Sequence, residues 1–219
     1  MKLLIVAATQ AEIAPFMAHM QSQSYTHVAV SFLITGVGMV ATTYALTRSL
    51  QAQPCLFALQ VGVGGSFTPH LPLGGLVKIT TDGYGDLGAE DHDAYLDITE
   101  LGLLQPDEPP FTHARLAMPD SDLADRIDLP DASGLTVNTV SGGLRTIAMR
   151  WNKYCSDIES MEGAAFHYVC LQEGVPFAQV RAVSNYVTPR DKTQWKMKEA
   201  ITNLNEWLIG FVAGLDVAG

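Results

Sequence analysis

The run Leu3-Leu4-Ile5-Val6-Ala7-Ala8 is apolar at every position, and a strand with apolar residues on both faces belongs in the middle of a sheet that is covered on both sides. The period then changes, because Ile13, Phe16, Met17 and Met20 recur at helical spacing between about Ala11 and Met20. The same alternation repeats along the chain. Thr26 to Ile34 reads as a strand closed by Thr35-Gly36-Val37-Gly38, and Met39 to Leu50 as a helix. Cys55 to Val61 reads as a third strand ending in a Gly62-Val63-Gly64-Gly65 turn, and Gly75 to Thr81 as a fourth. After Gly134 come strands Leu135 to Val140 and Ser156 to Glu159, a helix from Glu162 to Gln172, a strand from Phe177 to Ser184, and a terminal helix from about Thr193 to Val212. Strands alternating with helices predict an α/β fold, a three-layer sandwich whose central sheet is mixed and largely parallel and is flanked by helices.

With 219 residues, 47% of them apolar, the chain can bury a sizeable core as one domain over residues 1–219. Its formal charge of -10 and scattered Lys and Arg exclude a nucleic-acid surface, which needs clustered cations. Cys55, Cys155 and Cys170 are odd in number and lack the close spacing of a metal or redox pair, so they read as reduced core residues of a cytoplasmic protein. No run approaches the ~20 apolar residues of a membrane span, and no membrane partner is expected. The acidic, proline-rich stretch from Asp82 to about Asp131 has little periodicity and reads as a packed excursion from the same domain. Within it, Asp91-His92-Asp93 follows no metal-ligand spacing, so no metal is expected.

Open α/β sheets bind ligands beyond the carboxyl ends of their strands. Glu12, the Gly62 to Gly65 turn, Glu162 and Asn185 each follow a different strand, so all of them can converge on one cleft. Each also has a plainer reading. Glu12 and Glu162 suit the first turn of a helix, where a carboxylate complements the dipole; Asn185 suits a strand end or a helix cap; the glycines suit chain reversal. Gly36-Val37-Gly38-Met39-Val40-Ala41 matches a dinucleotide fingerprint only loosely and follows the wrong strand, so no nicotinamide cofactor is expected. Trp195 and Trp207 fit packing on the last helix better than base stacking. A side-chain amide at position 185 can accept from a protonated purine ring nitrogen and donate to a six-oxo group, a pairing that favours hypoxanthine or guanine over adenine.

Across nearly its whole length, the chain resembles the nucleoside phosphorylase and nucleosidase superfamily. The resemblance rests on Glu12 after the first strand, Val61-Gly62-Val63-Gly64-Gly65, Ser160-Met161-Glu162-Gly163 and Arg181-Ala182-Val183-Ser184-Asn185. It implies that Glu162 binds ribose with Met161 against the sugar, that Gly62, Val63 and Gly64 line the substrate, and that Glu12 handles an attacking water. Adenine-specific members carry Asp where this chain has Asn185, which implies a six-oxo purine. Hexameric phosphorylases hold phosphate with an Arg directly before the glycine-rich turn, where this chain has Gln60, and with an early Arg, whereas no Arg here precedes Arg48. Water is therefore the implied nucleophile.

The segments Asp86-Leu87-Gly88-Ala89-Glu90-Asp91 and Asn185-Tyr186-Val187, followed by Arg190-Asp191 and Trp195, point to the branch that releases hypoxanthine from a nucleoside with a carboxylated aromatic arm, in an alternative menaquinone pathway. Arg190 is the candidate for binding that arm, against the alternative that it pairs with Asp191 or solvent. Two other readings stand beside this one: a methylthioadenosine or adenosylhomocysteine nucleosidase, and a non-catalytic nucleoside-binding protein of the same fold. No cofactor is implied. Family members commonly complete the pocket with a neighbouring subunit, so a homodimer or larger homo-oligomer is expected.

Overall fold

The computed structural model describes residues 1–218. The chain runs β1 (Lys2–Ala7), α1 (Gln10–Ser22), β2 (Ala29–Ile34), α2 (Met39–Ala52), β3 (Phe57–Ser66), β4 (Leu76–Asp82), β5 (Gly88–Asp91), β6 (Ala94–Asp97) and β7 (Leu116–Ala117). It continues through α3 (Asp122–Asp125), β8 (Asp131–Thr136), α4 (Leu144–Tyr154), β9 (Ile158–Ser160), α5 (Gly163–Glu173), β10 (Phe177–Tyr186) and α6 (Met197–Ala218).

β1 is central, pairing in parallel with β2 on one side and β3 on the other. Its apolar run divides by the two-residue period of a strand. Leu3, Ile5 and Ala7 pack with residues of α1 and α6, including Phe16, Leu204 and Leu208. Leu4 and Val6 pack with Leu46 of α2 and Phe166 and Val169 of α5. Each fully buried Leu, Ile or Phe contributes about 1.5–3 kcal/mol relative to exposure, so both sheet faces are strongly covered. The sheet is mixed, with helices on both sides, as the alternation predicts.

Beyond β3 the sheet closes on itself. β10 pairs in parallel with β3 and antiparallel with β4, β4 pairs with β8, β8 with β9, and β9 with β3. The resulting five-strand ring has a partly polar interior, because Gln60, Gln179 and Arg181 are buried there among Val77, Ile79, Ile158 and Val183.

Three segments differ from the sequence expectation. The Gly62 to Gly65 run is not a turn but the second half of β3, which extends to Ser66. Its glycines make room: a Cβ at Gly62 would lie 2.7 Å from Arg181 Nη1 and 2.9 Å from Glu12 Oε1, and one at Gly64 would lie 2.7 Å from Ile158 Cγ2. The strand expected over Leu135 to Val140 is instead β8, ending at Thr136, and residues 137–143 form a loop. The irregular middle contains the β5–β6 hairpin, and Asp91-His92-Asp93 lies exposed at its tip, with His92 at a φ of 53°.

Candidate active site

A cleft of about 400 Å³ opens over the carboxyl ends of β1, β3 and β10 and beside the turn after β9, and Glu12, Val63, Gly64, Met161, Glu162 and Asn185 all line it. Gly62 lies just beneath, packed against Glu12 and Arg181. The four strand ends therefore do converge.

Glu12 is 9% exposed and sits in the first turn of α1, where both readings of its sequence position hold at once. Its Oε2 accepts from Thr9 N at 3.0 Å and Thr9 Oγ1 at 2.9 Å, satisfying donors at the helix start. Its Oε1 accepts from Val63 N at 3.2 Å across the cleft floor. A second device holds this turn. Pro15 lies inside α1 and cannot donate to Ala11 O, and at the next residue Asn205 of α6 bridges the helix backbone, donating to Glu12 O at 2.8 Å and accepting from Phe16 N at 2.9 Å.

Glu162 is 5% exposed and is the N-cap residue of α5, but its side chain does not cap that helix. It reaches to α2 instead, where Oε1 accepts from Gly38 N at 3.0 Å. Gly38 has a φ of 92° and brings no capping side chain, and the first turn of α2 has no acid. The N-terminus of α2 thus takes its anion from the N-cap position of α5, distant in sequence. Glu162 Oε2 lies 3.6 Å from Arg181 Nη1.

Arg181, which opens one of the motifs but was given no role there, lies beside Glu162 under the cleft. It is buried inside the ring, with Nη2 donating to Gln60 Oε1 at 2.9 Å and Nη1 to Val63 O at 3.4 Å. Nη1 and Glu12 Oε1 both lie within 3 Å of the place a Cβ on Gly62 would take, so the guanidinium that faces Glu162 is also near Glu12. The signal was available, since a charged residue inside the apolar strand Phe177-Ala178-Gln179-Val180-Arg181-Ala182-Val183 requires a buried partner. Gln60, occupied by Arg181, faces the ring and not the cleft.

Asn185 sits just past a β-bulge, because Val183 pairs with Gly64 and Asn185 with Gly65, leaving Ser184 as the extra residue. Bulges re-aim side chains, and this one turns Asn185 into the cleft. Its Nδ2 donates to Tyr186 O at 3.0 Å and its Oδ1 accepts from Ser184 Oγ at 2.8 Å. A carbonyl can only accept, so Tyr186 fixes which end of the amide is nitrogen. One N–H and one lone pair stay free for a ligand.

The walls come from residues to which the sequence analysis gave no place in the cleft. Val37 and Val140, 56% and 39% exposed, line the mouth together with Trp195. Trp207 instead stacks on Phe211 beside the core. The Val140 wall is pinned by Glu159, which accepts from Ser141 N at 2.8 Å, Ser141 Oγ at 2.6 Å and Arg150 Nη1 at 3.0 Å. Arg190 lies outside the main cleft, in an adjoining crevice of about 60 Å³ that shares Asn185, Glu159 and Trp195 with it. Its guanidinium sits 5.2 Å from the Trp195 ring centre, while Asp191 is occupied by Thr193 and Gln194.

Among the described residues no group of three or more His, Cys, Asp or Glu side chains is arranged to hold a metal ion, and no helix is long and apolar enough to cross a membrane.

Known proteins are similar to this chain in sequence and in fold. Futalosine hydrolase of Streptomyces coelicolor is 33% identical over 160 residues, covering 72% of this chain and 66% of the relative. Futalosine hydrolase of Thermus thermophilus is 33% identical over 183 residues, covering 79% of this chain and 76% of the relative. Among solved structures, the 5'-methylthioadenosine/S-adenosylhomocysteine nucleosidase of Colwellia psychrerythraea, in complex with adenine, superposes with a TM-score of 0.79 at 20% identity, covering 97% of this chain and 95% of that one; at that identity it speaks for the fold alone. The family model of the phosphorylase superfamily matches residues 4–213. The chain therefore belongs to the phosphorylase superfamily.

Proposed function

We propose that this protein hydrolyses the N-glycosidic bond of futalosine, releasing hypoxanthine. The observation that carries the reading is the meeting of Glu12, Glu162 and Asn185 on one cleft, in a chain 33% identical to two futalosine hydrolases.

Cleaving the bond leaves positive charge on the ribose and negative charge on the base, and a competent site stabilises both. Glu162, held by Gly38 N and Arg181, accepts from the ribose hydroxyls and stands near the oxocarbenium charge, with Met161 against the sugar. Arg181 keeps a counter-charge beneath the carboxylates, so two acids can share one small space. Glu12 orients a water and takes its proton. The free lone pair of Asn185 accepts from protonated N7 and its free N–H donates to O6. Val63 and Gly64 form the floor under the nucleoside. Arg190, stacked on Trp195, supplies a cation at the rim for the carboxylated arm, against the acidic field of the whole chain.

A methylthioadenosine nucleosidase would need to bind a six-amino group, which presents N–H donors where Asn185 also presents one. Val37, Val40 and Tyr44 are exposed near the mouth, which supports assembly into a homodimer or larger, and the free cysteines fit a reducing cytoplasm. Incubation with futalosine, inosine and methylthioadenosine, with and without phosphate, followed by chromatography of the freed base, tests the reading. Hypoxanthine released from futalosine without phosphate is the expected result; adenine release or a phosphate requirement would replace it.

A further inference from the structure

A polar thread runs through the strand ring beneath the cleft, and the hydrolytic roles above leave it unused. It begins at His167 on α5, which has no exposed surface and whose Nδ1 lies 3.0 Å from the Leu116 carbonyl. A carbonyl only accepts, so Nδ1 carries the proton and Nε2 keeps a lone pair. Burial, opposed in part by Asp82, pushes the imidazole pKa below its ordinary value, in keeping with a neutral ring.

That lone pair requires a donor, and the group facing it is the Gln179 amide. With its nitrogen turned inward, Gln179 donates to His167 Nε2 at 2.8 Å and to Asp82 Oδ2 at 3.2 Å, while its oxygen accepts from Arg181 Nε at 3.0 Å. The reverse orientation sets an oxygen against two acceptors and a nitrogen against a donor. Asp82 is itself fixed, because Oδ1 accepts from Gly83 N at 2.8 Å and Thr136 Oγ1 at 2.9 Å. Each hydrogen-bonding direction along the thread is thereby determined.

We infer that His167, Asp82 and Gln179 form a positioning relay that sets the plane of the Arg181 guanidinium and, through it, the placement of Glu162 beside Glu12. A guanidinium is a rigid planar fork. Once Gln179 holds Nε and Gln60 holds Nη2, the direction of Nη1 toward Glu162 and Val63 is no longer free. Gly163 gives the thread its space: a Cβ there would overlap Asp82 Oδ2 and come within 2.5 Å of the Gln179 side-chain amide. None of the three relay residues lines the cleft, so their effect is exerted at one remove.

The consequence for rate rests on the hydrolytic reading, but the geometry can be tested without turnover. Nitrogen-15 spectra of the imidazole should show His167 as the neutral Nδ1–H tautomer, and the Arg181 Nε–H should exchange slowly in the wild type and faster in Gln179→Met. An Nε2–H tautomer, or an unchanged Arg181 signal, overturns the relay. In kinetics, Gln179→Met should lower kcat by about 10²-fold, the loss expected of a displaced catalytic group, with KM moving less than about threefold. Arg181→Lys removes the anchored Nε, so adding Gln179→Met to that variant should cost nothing further; multiplying losses overturn the relay. Should Gln179→Met not fold, His167→Leu against His167→Gln asks the same question, since Gln can still meet both neighbours and should restore kcat where Leu does not. Equal losses in both overturn it. A wild type that frees no base while the spectra hold defeats the hydrolytic reading and leaves the relay standing; an active wild type with multiplying losses defeats the relay alone.

Discussion

The floor and the mouth of the cleft are built on opposite principles. The floor is a buried, charged, fully bonded assembly in which Glu12, Glu162 and Arg181 are fixed by Thr9, Gly38, Gln60 and Val63. The mouth is apolar and partly open, formed by Val37, Val140 and Trp195, with the Arg190 guanidinium 5.2 Å from the centre of the indole. Charges removed from water must be paired and aimed, which makes the floor intolerant of change. Exposed apolar surface is adaptable, which suits the mouth to recognising the variable part of a nucleoside. The bond-breaking step should therefore fail when the floor changes, and substrate choice should drift when the mouth changes.

The hardest test of that division is Glu12→Gln, which keeps the shape of the side chain and removes the base. Steady-state turnover should fall by about 10²- to 10⁴-fold, and near-normal turnover would detach Glu12 from the chemistry. Asn185→Asp comes next. It sets an oxygen against the Tyr186 carbonyl in place of the donated N–H, so the new carboxyl must keep a proton there or turn. Release of hypoxanthine should drop by about 10- to 100-fold, as for a lost buried hydrogen bond of about 1–3 kcal/mol, with adenine release gained. An unchanged base preference in competition assays would remove Asn185 from the specificity argument.

Acid should expose the cost of the buried neutral imidazole. The folded pKa of His167 is lowered, so its contribution is complete above the unfolded value of about 6.5 and is lost as pH falls below it. The loss reaches at most about 1.4 kcal/mol per pH unit. The gap in melting temperature between wild type and His167→Gln should shrink from pH 7 to pH 5; a constant gap would show that the imidazole titrates alike in the folded and unfolded states. The smallest effect belongs to the mouth. Arg190→Ala should raise KM for futalosine several-fold, in line with about 0.5–1 kcal/mol for an exposed cation over an aromatic ring, and should leave kcat for inosine, which has no arm, nearly as it was.

The sequence and the molecule agree where local pattern carries the information. The β1 run announced a strand covered on both faces, and Leu3, Ile5 and Ala7 on one side with Leu4 and Val6 on the other bear that out. Glu12 and Glu162 were legible because each follows a strand, whereas Arg181 lies inside β10. Elements defined by contacts distant in sequence were not. The glycines of β3 looked like a turn because a strand rarely tolerates them, and only residues distant in sequence, such as Arg181 at Gly62 and Ile158 at Gly64, explain the space they leave. Helix α4 was not anticipated, since its one fully buried residue is Arg150, held by Glu159 at 3.0 Å and Asp86 at 3.4 Å where an apolar stripe would ordinarily mark the buried face. Trp195, read as packing, lines the cleft, and a short 3-10 turn over Lys192–Gln194 ahead of α6 delivers it there.

The strand ring also governs how the protein can move. From Gln179 to Ala182 β10 is bonded along both flanks, to β3 and to β4, so the strand beneath the cleft cannot shift without tearing two ladders at once. Ligand traffic must then pass through the segment after β10, from Thr188 to Gln194, which is exposed throughout. In deuterium uptake, the amides of Val180 to Val183 should be among the last to label and those of residues 188–194 among the first, giving a stiff cylinder with a hinged brim.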